Sequence, residues 1–166
     1  YDVSYIEVTP RYNGRKVAVE LTDFSVFYTQ DTVDNVAASL KNGKTKLVVE
    51  NGKIIKVTKS EAGEVKTEPL TKDWTDWIDY WSVDFDFESK REIIRVQDPE
   101  TGQFVEHWSG DYVFENEWQS FRTKKNRTLE LKSIEHEYEK GKQYKIAVKV
   151  VDIFGNDTMK IIEIGV

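Results

Sequence analysis

Short segments in which apolar and polar residues alternate recur along this sequence, and Gly-containing turns join them in pairs. Such alternation is typical of a strand with one face on the core and the other in water. The turns are Asn13-Gly14, Asn51-Gly52 and the loop from Asp98 to Gly102. Glycine and asparagine tolerate the positive φ that tight turns require, so each turn predicts a β-hairpin. Closely spaced hairpins predict a mainly β chain folded as a sandwich or barrel.

The apolar spacing changes between residues 31 and 41, where it predicts one short helix. The residues at intervals of three and four are Val33, Val36, Ala37 and Leu40. That interval places them on one helix face. Thr29 or Asp31 is suited to cap the first turn, and Asn42-Gly43 to end the helix.

A break in the alternation begins near Pro69 and separates two predicted domains. Residues 1–70 are expected to form a β-rich subdomain that contains the helix and ends in a short edge strand, Val65 to Glu68. Residues 71–166 are expected to form a β-sandwich.

The second domain is expected to centre on one strand with a strongly aromatic face. Its apolar face comprises Trp81, Val83, Phe85 and Phe87, and its polar face comprises Tyr80, Ser82, Asp84 and Asp86. A half-buried strand has this pattern. The aromatic face is expected to pack against alternate residues of a strand from Tyr144 to Val150.

Composition excludes several classes of protein. The 166 residues include no Cys, which excludes disulfide frameworks and thiolate metal sites. No apolar run is long enough to span a membrane, and no signal peptide is visible. We therefore expect no membrane partner and a cytoplasmic location. Because the chain starts at Tyr1, we also expect it to be a piece of a larger protein. A net charge of −6 confines any DNA contact to a local patch.

Three segments of the second half follow a known pattern. They are Trp81-Ser82-Val83-Asp84-Phe85, the run from His136 to Tyr144, and the run from Val148 to Asn156. This half of the chain resembles the PKD-like branch of immunoglobulin-type domains. The resemblance implies an immunoglobulin/PKD-like β-sandwich, preceded here by an N-terminal β-hairpin subdomain with one short helix. The stretch from Glu88 to Ser133 departs from the family because it is longer and contains its own hairpin.

A narrower resemblance concerns function. The segments Asp79–Asp86, Trp118–Asn126 and Val150–Asp157 are similar to the C-terminal region of bacterial and archaeal type III restriction–modification-like proteins. Those proteins are adenine-specific DNA methyltransferases or DEAD/DEAH-type helicases. The resemblance implies an accessory domain whose partners are the catalytic modules of its parent enzyme, with DNA as a second candidate partner.

The catalytic motifs of such parents are absent from this sequence. It contains no Asp/Asn-Pro-Pro-Tyr/Phe tetrad, no G-x-x-x-x-G-K-S/T phosphate loop and no Gly-rich cofactor loop. We therefore assign the chain no catalytic residue and no cofactor, and expect it to contribute binding or positioning.

The densest basic run is the candidate nucleic-acid site. The predicted residues are Trp118, Gln119, Arg122, Lys124, Lys125, Asn126 and Arg127. Cations neutralise phosphates, and an aromatic ring such as that of Phe121 can stack on a base. The side-chain amides can hydrogen-bond to a phosphate or to a base. The alternative is a solvated loop or edge face, where lysine guards against strand pairing.

Four aspartates form a second candidate, and no metal is assigned to them. They are Asp84, Asp86, Asp152 and Asp157. Carboxylates that converge at one end of a sandwich bind Ca²⁺ through oxygen. The alternative is that Asp152 caps a turn and that Asp84 and Asp86 occupy a polar strand face. For His136, a turn-stabilising hydrogen bond is favoured over metal binding.

Two other interpretations stay open at this point. One is an extracellular PKD-type adhesion or spacer module. The other treats the first 70 residues as a separate protein-binding subdomain, with the sandwich as its scaffold.

Overall fold

The computed structural model describes residues 3–27, 32–50 and 53–166, and within them the chain is mainly β with one α-helix. The strands are β1 Val3–Asn13, β2 Lys16–Phe27, β3 Thr45–Glu50, β4 Lys53–Lys59, β5 Val65–Pro69, β6 Ile78–Asp84, β7 Arg91–Gln97, β8 Phe104–Tyr112, β9 Trp118–Phe121, β10 His136–Glu137, β11 Gln143–Asp152 and β12 Asp157–Gly165. The helix is α1, Val33–Ser39. None of the described helices has the length and apolarity to cross a membrane. The predicted fold class, mainly β with one short helix, is confirmed.

The described strands form four sheets, in the orders β1-β2-β10, β12-β11-β6-β9, β3-β4-β5 and β7-β8. The predicted hairpins are present. Gly14 adopts a φ of 62° between β1 and β2, and Gly102 adopts 72° between β7 and β8. The turn Asn51-Gly52 lies outside the described residues, but Glu50 pairs with Lys53 in the antiparallel β3–β4 ladder.

The three-stranded sheet β3-β4-β5 packs against α1. Val36 of the helix joins Val48 and Val57 in a small apolar cluster. Thr32 caps the helix, because its hydroxyl accepts the backbone N–H of Asn35 at 3.1 Å. The predicted caps, Thr29 and Asp31, lie outside the described residues.

Contacts group the chain into two compact units. The first comprises residues 1–8, 21–79 and 151–158, and the second comprises residues 9–20, 80–150 and 159–166. Each unit therefore draws on separate stretches of sequence. The predicted division between residues 70 and 71 stays a prediction.

The core of the second unit is built around β6. Trp81 is fully buried, and its indole N–H donates to the carbonyl of Glu130 at 2.7 Å. The ring of Phe85 stacks on His136 of β10, with 4.9 Å between centroids. Burial raises the pKa of Tyr138, so its hydroxyl stays protonated and donates to the Phe85 carbonyl at 2.7 Å. These contacts join two sheets in a sandwich-like arrangement.

Two details differ from the predictions made for β6. The strand β11 lies beside β6 in one sheet, so its residues are lateral neighbours, and the aromatic face packs on residues 130–138 instead. The predicted polar face is also largely buried, with Ser82 at 2 % and Asp84 at 0 % exposure. At Asp84 the reason is that Lys90 and Glu115, which flank the β7–β8 hairpin, lie against its carboxylate.

Candidate nucleic-acid interface

The candidate site begins on β9, an edge strand that pairs with β6. The register places Trp118 opposite Val83 and Ser120 opposite Trp81, so both β9 side chains share the core face. The Trp118 ring meets the Trp81 ring edge-on, with 4.9 Å between centroids. Strand alternation places Gln119 and Phe121 on the other face. Trp118 therefore supports the core, and the exposed ring next to the basic run is Phe121, at 52 % exposure.

The loop after β9 is held by its own hydrogen bonds. The N–H of Thr123 donates to the Asn126 carbonyl at 2.8 Å, and the N–H of Asn126 donates to the Thr123 hydroxyl at 2.9 Å. The Asn126 side-chain oxygen accepts the N–H of Thr128 at 3.0 Å. The loop thus has a defined conformation that fixes where its cations emerge.

The electrostatics of this segment differ from those of the whole chain. Residues 118–129 carry four cations and no carboxylate, in a protein of net charge −6. Lys124, Lys125 and Arg127 are exposed, whereas Arg122 is half-buried and already has an interaction partner. We name residues 122–127 the basic loop.

A shallow depression of about 170 Å³ lies beside the basic loop. Its lining is Gln119, Ser120, Phe121, Thr123, Asn126, Thr128 and Glu130. The structure therefore brings three predicted features together, the Gln119 amide, the Asn126 amide and the Phe121 ring. The cations lie outside this lining, and Glu130 contributes a carboxylate to it. The arrangement suits a ring or amide contact inside the depression and phosphate contacts beside it.

The second candidate, the aspartates, separates into structural roles. Asp152 accepts the N–H groups of Phe154 at 2.9 Å and Asn156 at 3.1 Å, which confirms that it caps a turn. Among the described residues, no group of three or more His, Asp or Glu side chains has the geometry to hold a metal ion. The His136 ring lies between Phe85 and Tyr138, where it packs; the described residues show no side-chain hydrogen bond from it, contrary to our expectation.

Asp84 is the buried centre of a polar cluster that the sequence did not predict. Its carboxylate accepts from the Glu115 N–H at 2.8 Å, the Asp86 N–H at 3.1 Å and the Lys90 ammonium at 3.3 Å. Lys90 also contacts the Glu115 carboxylate at 2.8 Å. Glu117 accepts the Phe85 N–H at 2.9 Å. Lys90 precedes β7, and Glu115 follows β8, so the cluster fixes both ends of the β7–β8 hairpin.

The cluster predicts a pH dependence that can be tested. Burial and a hydrogen bond with Asp84 raise the pKa of Glu117. A raised pKa in the folded state stabilises the fold below the ordinary carboxyl pKa, and this contribution is lost as pH rises through the raised value. Gln at position 117 cannot ionise. As pH rises from about 4 to about 7, the original chain loses this contribution and the Glu117→Gln variant does not. The free energy of unfolding of the variant minus that of the original chain should therefore increase over this range.

Urea unfolding of both chains at several pH values measures this difference. Glu135→Gln, which changes an exposed carboxylate outside the Asp84 cluster, is the control. A Glu117→Gln difference that varies with pH no more than the Glu135→Gln difference would contradict the raised pKa of Glu117.

A second basic surface was also missed. Residues 41–72 hold eight lysines and four glutamates, a net charge of +4, which leaves −10 for the rest of the chain. A count of charge by segment would have found it. The lysines are spread over the sheet β3-β4-β5 and its turns, and Lys59 donates to the Ala37 carbonyl at 3.1 Å. This surface supplies a charge-matched comparison for the basic loop.

Comparisons with known proteins add no assignment. No protein-family model, no curated protein and no solved structure matches this chain.

Proposed function

We propose that this chain is a non-catalytic accessory domain of a DNA-modifying enzyme, either a methyltransferase of the type III restriction–modification kind or a helicase. It docks on the catalytic modules of that enzyme in the cytoplasm, and the basic loop makes a weak contact with DNA. The observation that carries the DNA contact is the basic loop itself. It presents three exposed cations on a turn fixed by hydrogen bonds, next to the exposed ring of Phe121.

The magnitudes limit this contact to an auxiliary one. Three exposed cations neutralise at most a few phosphates, which corresponds to a non-specific dissociation constant of about 10⁻⁴ M or weaker at physiological salt. The acidic remainder of the surface repels DNA and weakens binding further. In an intact enzyme, the other modules raise the effective concentration of DNA at the loop, so a weak contact is sufficient.

A titration followed by amide NMR tests where DNA binds. With a 12-base-pair duplex at low salt, we expect shifts of backbone amide signals in residues 119–128, because these residues form the loop and the depression. Residues 41–72 are the internal comparison, since they also carry excess positive charge. Shifts confined to residues 41–72, or spread evenly over the surface, would contradict the proposal.

A further inference from the structure

The β7–β8 hairpin presents apolar side chains on both of its faces. The register places Ile93 opposite Trp108 on one face, and Val96 opposite Val105 on the other. Ile93 is 55 % exposed and Phe104 is 57 % exposed. An isolated two-stranded hairpin is only marginally stable in water, and contiguous apolar surface usually marks a contact site.

One face of the hairpin combines rings with guanidinium groups. Arg91 lies 4.6 Å from the centre of the Trp108 ring, and Arg95 lies 5.0 Å from the centre of the Phe104 ring. Within the described part of the chain, neither guanidinium has a carboxylate partner, although Glu106 is directly opposite Arg95 in the ladder. A guanidinium stacked on a ring keeps its N–H edge free for bidentate bonds. We name Arg91, Ile93, Arg95, Phe104 and Trp108 the arginine–aromatic face.

The base of the hairpin is held firmly, which makes the face a preformed surface. The centroid of the Trp108 ring lies 5.3 Å from that of the Tyr112 ring, and the Tyr112 centroid lies 6.0 Å from that of the buried Phe87 ring. The Asp84 cluster fixes the two chain segments that enter and leave the hairpin. Binding on such a surface loses little conformational entropy.

We propose that the arginine–aromatic face docks a partner protein surface on which apolar side chains are flanked by carboxylates. This inference deepens the proposed function, because it rests on the chain's role as a docking domain. The guanidinium groups of Arg91 and Arg95 select carboxylates, and Ile93, Phe104 and Trp108 select apolar side chains.

Charge favours a protein carboxylate over a phosphate backbone at this face. Residues 91–112 contain two arginines and five carboxylates, a net charge of −3, which repels a polyanion along the hairpin. A discrete carboxylate placed between apolar side chains meets the guanidinium groups without approaching the whole acidic hairpin.

Selection from a random dodecapeptide phage library tests the inference without a known partner. Enriched peptides are expected to carry Asp or Glu next to apolar or aromatic residues. Binding of a synthetic selected peptide should weaken by about tenfold or more in Ile93→Thr/Phe104→Thr and in Arg91→Gln/Arg95→Gln. Thr keeps the β propensity of the exposed positions, so these variants are expected to fold.

Two control variants distinguish docking at this face from non-specific apolar binding and from the DNA contact. Ile134→Thr removes an isoleucine that is 58 % exposed outside the hairpin and should leave peptide binding unchanged. Lys124→Ala/Lys125→Ala/Arg127→Ala should also leave it unchanged, so loss of the DNA contact and loss of peptide docking are distinguishable. The inference would be overturned if basic peptides or no peptides were enriched. It would also be overturned if the two hairpin variants bound the selected peptide as tightly as the original chain does. A dimer in sedimentation velocity that Ile93→Thr/Phe104→Thr abolishes would also overturn it, because a second copy would then be the occupant.

Discussion

Replacement of Trp81 by Ala is expected to lower the free energy of unfolding by about 3–5 kcal/mol. The indole is fully buried, and it packs edge-on against Trp118. Truncation leaves a cavity and leaves the Glu130 carbonyl without its 2.7 Å donor. Both losses occur at the junction between β6 and residues 129–138, which joins the two sheets.

Chemical denaturation of the purified chain measures this loss. Trp81→Phe should fall between the original chain and Trp81→Ala, because it keeps most of the ring but not the hydrogen bond. Trp108→Ala is the matched control, since its ring is on the exposed hairpin, and its cost should be about 1 kcal/mol. Equal losses for Trp81→Ala and Trp108→Ala would contradict the placement of Trp81 in the core.

Asp84→Ala is expected to lower the free energy of unfolding by about 3 kcal/mol, because two backbone N–H groups lose their acceptor and Lys90 loses one of its carboxylate partners. The carboxylate is 0 % exposed and serves two backbone N–H groups and the Lys90 ammonium. Without it, Glu115 and Asp86 lose their acceptors, and the ends of the hairpin lose a common anchor. Faster amide hydrogen exchange is therefore expected in β7 and β8.

Two variants qualify the result. Asp84→Asn keeps an acceptor oxygen and should cost less than Asp84→Ala. Asp111→Ala removes an exposed carboxylate of the hairpin and should change the free energy of unfolding by about 0.5 kcal/mol or less. If Asp84→Ala behaves like Asp111→Ala, the cluster does not hold the hairpin.

Local chemistry explains which parts of the fold could be predicted. Turns at Gly14 and Gly102 require positive φ, and the residues beside them alternate, so the hairpins follow from short-range sequence. The helix follows from the spacing of Val33, Val36 and Leu40, because a local period determines the face it buries. These features depend on neighbours within about ten residues of one another in sequence.

Features that depend on distant segments could not be predicted. The alternation on β6 predicted that Asp84 lies on a solvated face. Its carboxylate is instead buried and accepts the N–H of Glu115, which lies about 30 positions away in sequence. The interleaving of residues 9–20 with residues 80–150 in one unit also has no local signal. Periodicity distinguishes the two faces of a strand, but it does not show which segment covers them.

The candidate site was predictable in its charge but not in its geometry. The basic loop follows from a count of Arg and Lys. The orientation of Trp118 follows from the β6–β9 register, which alone places it with Trp81. The arginine–aromatic face was missed because the cation–π contacts of Arg91 and Arg95 depend on how two strands align.

The salt dependence of binding shows whether the basic loop contacts DNA, as we propose. Anisotropy of a labelled duplex, titrated with the chain at several low salt concentrations, gives the slope of log K against log salt. The triple variant Lys124→Ala/Lys125→Ala/Arg127→Ala should flatten this slope by about 2–3, roughly one for each lost phosphate contact. Thermal stability should stay nearly unchanged because the three side chains are exposed.

The charge-matched variant Lys41→Ala/Lys44→Ala/Lys66→Ala removes three exposed lysines from the second basic surface. This variant should keep most of the original slope, whereas the loop variant should lose it. Equal slopes for the loop variant and the original chain, or a slope lost only in the charge-matched variant, would rule out a DNA contact at the basic loop.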